Sequence, residues 1–197
     1  MARTRNEGTY LAARDKLLDV AQNLFRERSY GAVGLKDILE ESSVPKGSFY
    51  HYFDSKESFG IAVAQHYHER ELEKARAFLT DPSLAPVDRL RAFFEGARAE
   101  MKQREFAHGC LMCNLTTELA DERPEFQEEL ASHWRAMVET VADCLRDSDL
   151  DQIGLAHLTP EQAADWLMNS WSGALTRMKA SRSDEPLALF MRTIFKS

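Results

Sequence analysis

The feature that most restricts this chain is the spacing of its apolar residues. They recur every three or four positions, and no segment sustains the apolar–polar alternation of a strand. Leu17, Ala21 and Leu24 mark one such stripe; Leu90, Phe94, Ala97 and Met101 mark another; Leu130, Trp134, Met137 and Val141 a third. Proline disrupts a helix interior but suits its first residues, and the prolines at 45, 82, 86, 124, 160 and 186 fall where one stripe stops or the next begins. The pattern predicts an all-α chain of about nine helices. They are expected over residues 10–28, 35–42, 46–53, 55–79, 87–104, 110–120, 126–145, 160–180 and 187–195. Thr159, Pro160 and Gln162 form a capping box at one start, and Gly31 is the expected left-handed cap of the first helix.

The two short segments 35–42 and 46–53, joined by a tight link at Ser43-Val44-Pro45 behind a longer helix, have the spacing of a helix-turn-helix. Phe49, Tyr50, His51, Tyr52 and Phe53 place five rings in a row. On a helix they cannot all point inward, so Phe49 and Phe53, four apart, are expected in a core. Tyr50, His51 and Tyr52 are then left for the other faces, between Lys46 and Lys56, on a surface suited to an anion. Free N–H groups at a helix start hold phosphates, Gly47 permits close backbone approach, and Ser48, Tyr50 and His51 can reach base edges or phosphates. Tyr52 braces the helix or takes a phosphate, and Arg3 and Arg5 read either as a disordered tail or as a basic arm into a minor groove.

Charge is unevenly spread. Residues 1–56 hold nine Lys/Arg against eight Asp/Glu, whereas the remainder holds sixteen against twenty-four, within a net charge of −7. An acidic chain can therefore still present a local face to DNA. A hydrophobic content of 44% over 197 residues suffices for a real core. No apolar run is long enough for a membrane span, and the polar start resembles no secretory signal. Three cysteines, an odd number, suit a reducing compartment, and a cytoplasmic location is expected.

Gly31, Gly34-Leu35-Lys36-Asp37-Ile38, Val44 to Phe53 and Ser55-Lys56-Glu57 together resemble the tetracycline-repressor (TetR) family of bacterial regulators. The resemblance implies a homodimer on a palindromic double-stranded DNA operator. It implies a helix-turn-helix DNA-binding domain over residues 1–56 and a helical effector-binding and dimerisation domain over 57–197. Carried onto this chain, the DNA-binding positions are Gly34, Lys36, Lys46, Gly47, Ser48, Tyr50, His51, Tyr52 and Lys56. One departure is Val33-Gly34, where the family commonly has Thr and then a Ser or Thr cap; Gly34 offers no side-chain acceptor. The last two helices are expected to form the dimer interface through Trp166, Ser170, Gly173, Ala174 and Arg177 on one, and Leu187, Phe190 and Ile194 on the other.

In the second half Cys110 and Cys113 share a helical face, and a thiol at a helix N-terminus is shifted toward thiolate. Gly109-Cys110-Leu111, with Lys46 to Phe53 and Ser181 to Leu187, is similar to a subgroup that includes the electrophile-responsive repressor of N-ethylmaleimide reductase and acrylate-responsive repressors. That likeness implies a sensing role for Cys110; the alternative is that Cys110, Cys113 and Cys144 are core residues beside a non-covalent ligand pocket. Phe93, Phe94, Met101, Met112, Trp134, Met137, Trp166 and Trp171 are candidates for its wall. His108, Cys110 and Cys113 lack a second Cys/His pair, so no metal or cofactor is expected. His108 and Cys110, two apart, point to different faces, and with no orienting third group a thiol enzyme is disfavoured. The expected function is a repressor released by a small molecule or by electrophile or oxidant attack on cysteine.

Overall fold

Each proline that opens a predicted helix finds that place in the computed structural model, which describes residues 4–195. The helices are α1 (Thr4–Arg28), α2 (Leu35–Ser42), α3 (Lys46–Phe49), α4 (Lys56–Leu79), α5 (Pro86–Gln103), α6 (Leu111–Leu119), α7 (Pro124–Arg146), α8 (Pro160–Ser181) and α9 (Glu185–Ile194). Among the described residues there is no strand. Pro86, Pro124, Pro160 and Pro186 stand in the first two positions of their helices, where the missing N–H costs nothing. Thr159 accepts from the Gln162 N–H at 3.3 Å while its own N–H donates to Gln162 Oε1 at 3.1 Å, completing the capping box. No described helix is long and apolar enough to cross a membrane.

Three local readings change. The left-handed residue after α1 is Ser29, at φ 80°, rather than Gly31. The predicted helix 46–53 stops at Phe49, and two turn bonds, Tyr52 N–H to the Phe49 carbonyl (2.9 Å) and Phe53 N–H to the same oxygen (3.1 Å), fold the rest back. That early stop brings Phe53 beneath Phe49 and delivers Ser55 in extended conformation (φ −151°) as the cap of α4, its hydroxyl accepting from the Ser58 N–H at 3.0 Å. The polar link 147–154 contains a 3-10 turn, Leu150–Ile153, because Ile153 is drawn into the core. The basic arm expected from Arg3 and Arg5 involves side chains outside the described residues.

Two apolar cores result. The first gathers α1, α2, α3 and the start of α4, with Phe25, Phe49, Phe53 and Phe59 meeting edge to face; Phe53 and Phe59 are 4.7 Å apart between centroids. It does not stop at residue 56, since Val63, Tyr67, Leu111, Leu115, Leu119 and Phe126 belong to the same cluster. The second core is built by α5, α7, α8 and α9 around Phe94, Trp171 and Phe190. Leu187, Phe190 and Ile194 are buried there within their own chain, so they are not available as the exposed interface predicted for them. α5 and α8 cover that side of α9, and the large apolar side chains left exposed on the last two helices are Trp166 and Leu189.

α4 links both cores. Phe59 lies in the first, while Ala75 and Leu79 lie in the second. Gly60 permits this crossing: a Cβ there would stand 2.5 Å from the Tyr30 ring and 2.8 Å from the Phe126 ring.

Candidate functional site

The residues after the α2–α3 turn divide as their polarity dictates. Phe49 and Phe53 are buried, whereas Lys46, Gly47, Tyr50 and His51 are exposed and Ser48 and Tyr52 half-buried. Tyr52 packs against the first core, its ring 6.1 Å from that of Phe53. Lys36 projects from α2 within 3.6 Å of Glu40. At Gly34 the N–H donates to the Asp37 carboxylate at 2.8 Å, so half of a capping box survives although the residue has no side chain.

Lys56 differs from the exterior position expected of it. Its ammonium donates to the Tyr30 carbonyl at 2.7 Å and sits 4.4 Å above the Tyr30 ring, and burial lowers its pKa. It holds the turn after α1, as does Glu118 from α6. The Glu118 carboxylate accepts from the N–H groups of Tyr30 (3.0 Å) and Gly31 (2.6 Å), and the same oxygen that bonds Gly31 stands 3.0 Å from where a Cβ would be. This close approach, rather than a left-handed cap, is what glycine serves at position 31.

Cys110 occupies the other end of α6, as its N-cap residue. The segment before it is unusual: Glu105, Phe106 and His108 all adopt left-handed φ (53°, 58° and 66°), followed by Gly109 at 63°. Such a run persists only where surroundings enforce it. Here Phe106 packs against the second core, and the His108 carbonyl accepts from Asn114 Nδ2 at 2.9 Å. Asn114 in turn accepts from Lys179 Nζ at 3.1 Å.

No side-chain hydrogen bond caps α6, yet the Cys113 thiol and N–H face the Cys110 sulfur and the Tyr67 hydroxyl lies 3.8 Å from it. These donors outweigh burial and lower the Cys110 pKa to about 7, the Cys113 side chain contributing most. The same pairing, with burial, pushes Cys113 upward, so thiolate is favoured at Cys110 over Cys113. Burial also raises the Tyr67 phenol, which remains a donor. Cys144 is buried away from this site, its thiol against the Pro86 carbonyl at 3.4 Å.

Cys110 and Cys113 form part of the wall of a cavity of about 180 Å³ bordered by α4, α5, α6, α7 and α8. Met101, Trp134 and Trp171, predicted for this wall, line it. Phe94 does not face it: fully buried, it is engaged by Trp171, Phe190 and Phe195, and its neighbour Phe93 takes the wall position. Trp166 is exposed instead. The Trp134 indole N–H donates to Thr116 Oγ1 at 3.1 Å, tying α7 to α6.

Sequence reasoning missed Tyr67, His68 and His133, which are also among the residues lining the cavity. His68 and His133 stack with centroids 4.1 Å apart and planes 11° from parallel. Burial lowers the pKa of both, His68 to about 4. The only signal was two histidines on otherwise apolar helical faces 65 positions apart, which no spacing rule connects. Among the described residues no cluster of three His, Cys, Asp or Glu side chains has metal-binding geometry.

Residues 17–63 match the family described as bacterial regulatory proteins, tetR family, and residues 86–194 match the tetracyclin repressor-like C-terminal domain. The HTH-type transcriptional repressor DhaR of Mycobacterium sp. (strain GP1) is 33% identical over 184 residues, covering 93% of this chain and 91% of that protein. Regulatory protein TetR from Rhodobacter sphaeroides has a similar crystal structure, with a TM-score of 0.86 at 32% identity, covering 93% of this chain and 97% of that one. The reduced form of E. coli NemR gives a TM-score of 0.81 at 27% identity, covering 93% and 95%.

Proposed function

The chain belongs to the TetR family of bacterial transcriptional regulators, and we propose that it is a homodimeric repressor released from its operator through Cys110 and the adjoining cavity. Lys36, Lys46, Gly47, Ser48, Tyr50 and His51 form the surface that meets DNA, with Gly34 contributing its backbone. Tyr52 braces that surface, and Lys56 supports it from behind. The unpartnered side of α8 and α9, where Trp166 and Leu189 are exposed and a Cβ on Gly173 would meet nothing within 4 Å, is the dimer surface. Residues 1–56 serve as the DNA-reading part and 57–197 as the sensing and dimerising part.

The observation that carries this reading is the double attachment of α6. Its first turn carries the activated thiol, and its last turn holds the Tyr30–Gly31 turn of the DNA-reading part through Glu118. A group added at Cys110 takes space from the cavity and displaces the start of α6; the far end then pulls on Tyr30 and moves one recognition surface relative to its symmetry mate. With an electron-poor alkene the thiolate sulfur forms the new S–C bond, the displaced π pair takes a proton from water, and no oxidant is consumed.

The test uses a palindromic operator selected from random DNA and read by fluorescence anisotropy. N-ethylmaleimide is expected to release the wild-type protein, while Cys110→Ser binds equally well and is not released. If Cys110→Ser is released as readily as wild type, the thiol is not the trigger. The second reading, release by a non-covalent occupant, is favoured by the cavity's apolar wall and predicts that Cys110→Ser still responds to a suitable ligand.

A further inference from the structure

Cys113 is the residue of α6 that packing alone does not explain. Leu111, Met112, Leu115 and Leu119 supply the buried face of that helix. Cys113 belongs to neither apolar core and is only half-buried, although cysteine is among the residue types most often fully buried. Addition of an alkene at Cys110 needs one thiol; the structure supplies two, and turns them toward each other.

The placement follows from how α6 begins. Cys110 is the N-cap and Leu111 the first helical residue, so Cys113 stands at the third helical position. That is the relation a capping box uses, in which the two side chains meet across the first turn. The third cysteine, Cys144, lies in the second core against the Pro86 carbonyl and does not compete for this position. Both members of the pair also border two openings. One is the cavity, and the other is a groove between α1, α6 and α8 lined in part by Arg28, Asn114, Thr117 and Lys179.

We propose that Cys113 is a resolving thiol, which closes an intramolecular disulfide with Cys110 after a hydroperoxide has oxidised that residue. The Cys110 thiolate attacks the terminal peroxide oxygen; an S–O bond forms, the O–O bond breaks, and the departing alkoxide or hydroxide takes a proton from water. Two electrons pass from sulfur to oxygen, leaving a sulfenic acid. The Cys113 sulfur then attacks that sulfur; the S–S bond forms, the S–O bond breaks, and the oxygen leaves as water with the Cys113 proton. Oxidation itself frees the second thiol for this step. The Cys113 proton is held first by the hydrogen bond to Cys110, then by burial and by the Cys110 charge, with Ser172 opposing. Once Cys110 is a neutral sulfenic acid, both contributions of its thiolate are gone.

The effect on DNA rests on the proposed role of α6 in release. Cβ atoms three apart on a helix stand about 5–6 Å apart and a disulfide needs about 3.5–4.5 Å, so closure draws the start of α6 inward by on the order of 1 Å.

Hydrogen peroxide treatment of the full-length protein, followed by thiol titration and peptide mass, tests the pairing. Wild type is expected to lose two of its three free thiols. The peptide spanning Cys110 and Cys113 should become two hydrogens lighter, with no cross-linked dimer on non-reducing electrophoresis. Taken to completion, Cys113→Ser should lose one thiol and leave a Cys110 that dimedone labels. Loss of fewer than two thiols in wild type, or a bond from Cys110 to any other residue, overturns the proposal. If Cys113→Ser fails to fold, the wild-type peptide mass decides alone. Operator anisotropy on the same oxidised samples separates the two readings. A closed disulfide on protein that stays bound supports the thiol pair and refutes only its role in release.

Discussion

The start of α4 and its middle border different kinds of interior. At its start Phe59 is closed in by Phe25, Phe49 and Phe53, in ring contacts of 4.7–6.4 Å. Two turns further on, Tyr67, His68 and Glu71 border a cavity. One stretch is packed ring against ring, whereas the other borders a cavity. Under the proposed function, stability and response are divided along one helix.

The largest effect should come from breaking the ring-packed stretch. Phe59→Ala removes a fully buried ring from a core that cannot collapse around it and is expected to cost about 4 kcal/mol. Met137→Ala, at a half-buried cavity wall position, should cost no more than about half as much, because the space beside it is already empty. Urea unfolding at pH 7.5 measures both. Equal losses would mean that the cavity wall is packed as tightly as the first core.

How much of this division could be read from residues alone follows from the range over which each part is built. The helices and the Phe49–Phe53 alternation of buried and exposed rings depend on neighbours within a few positions, and their spacing announced them. α3 ended early because Phe53 had to meet Phe59 and Ser55 had to cap α4, demands set partly by the chain beyond it. Phe93 and Phe94 are adjacent on α5, and only the arrival of α8 and α9 decides which is consumed by the core. Leu187, Phe190 and Ile194 looked like surplus apolar surface for the same reason: what covers them comes from remote helices. The histidine pair, drawn from α4 and α7, had no local signature at all.

A sharper contrast comes from acid. The His68 pKa of about 4, against an ordinary 6.5, reflects burial first and then the neighbouring His133, with Glu129 opposing and Arg76 adding to the shift. A histidine depressed in the fold binds its proton more readily when unfolded, so its favourable contribution is complete above pH 6.5. It is lost progressively as the pH falls toward 4, to a total of about 3 kcal/mol. His133 shifts in the same direction. His68→Phe, which preserves a ring against His133, should flatten the stability profile over that interval. An unchanged slope in that variant would relocate the acid sensitivity to another part of the molecule.

The smallest effect concerns the rate of one thiol, and it sharpens the comparison most closely. If the responsive end owes its reactivity to built-in donors, alkylation of Cys110 should reach half its limiting rate near pH 7, with the thiolate gained as the pH rises. An unassisted cysteine would do so near pH 8.5. Cys113 supplies the largest part of that depression, so Cys113→Ala should move the midpoint upward and slow modification at pH 7 severalfold. Tyr67→Phe should move it less, since the hydroxyl stands 3.8 Å from the sulfur and ranks behind the Cys113 contributions. Stopped-flow alkylation of Cys144→Ser protein, with Cys110 followed by peptide mass, separates these rates. Should Tyr67→Phe prove the more damaging change, the nucleophile would be tuned chiefly from α4. The thiol and the histidine pair would then answer to the same helix that anchors the rigid core, and the division between its start and its middle would become a direct connection.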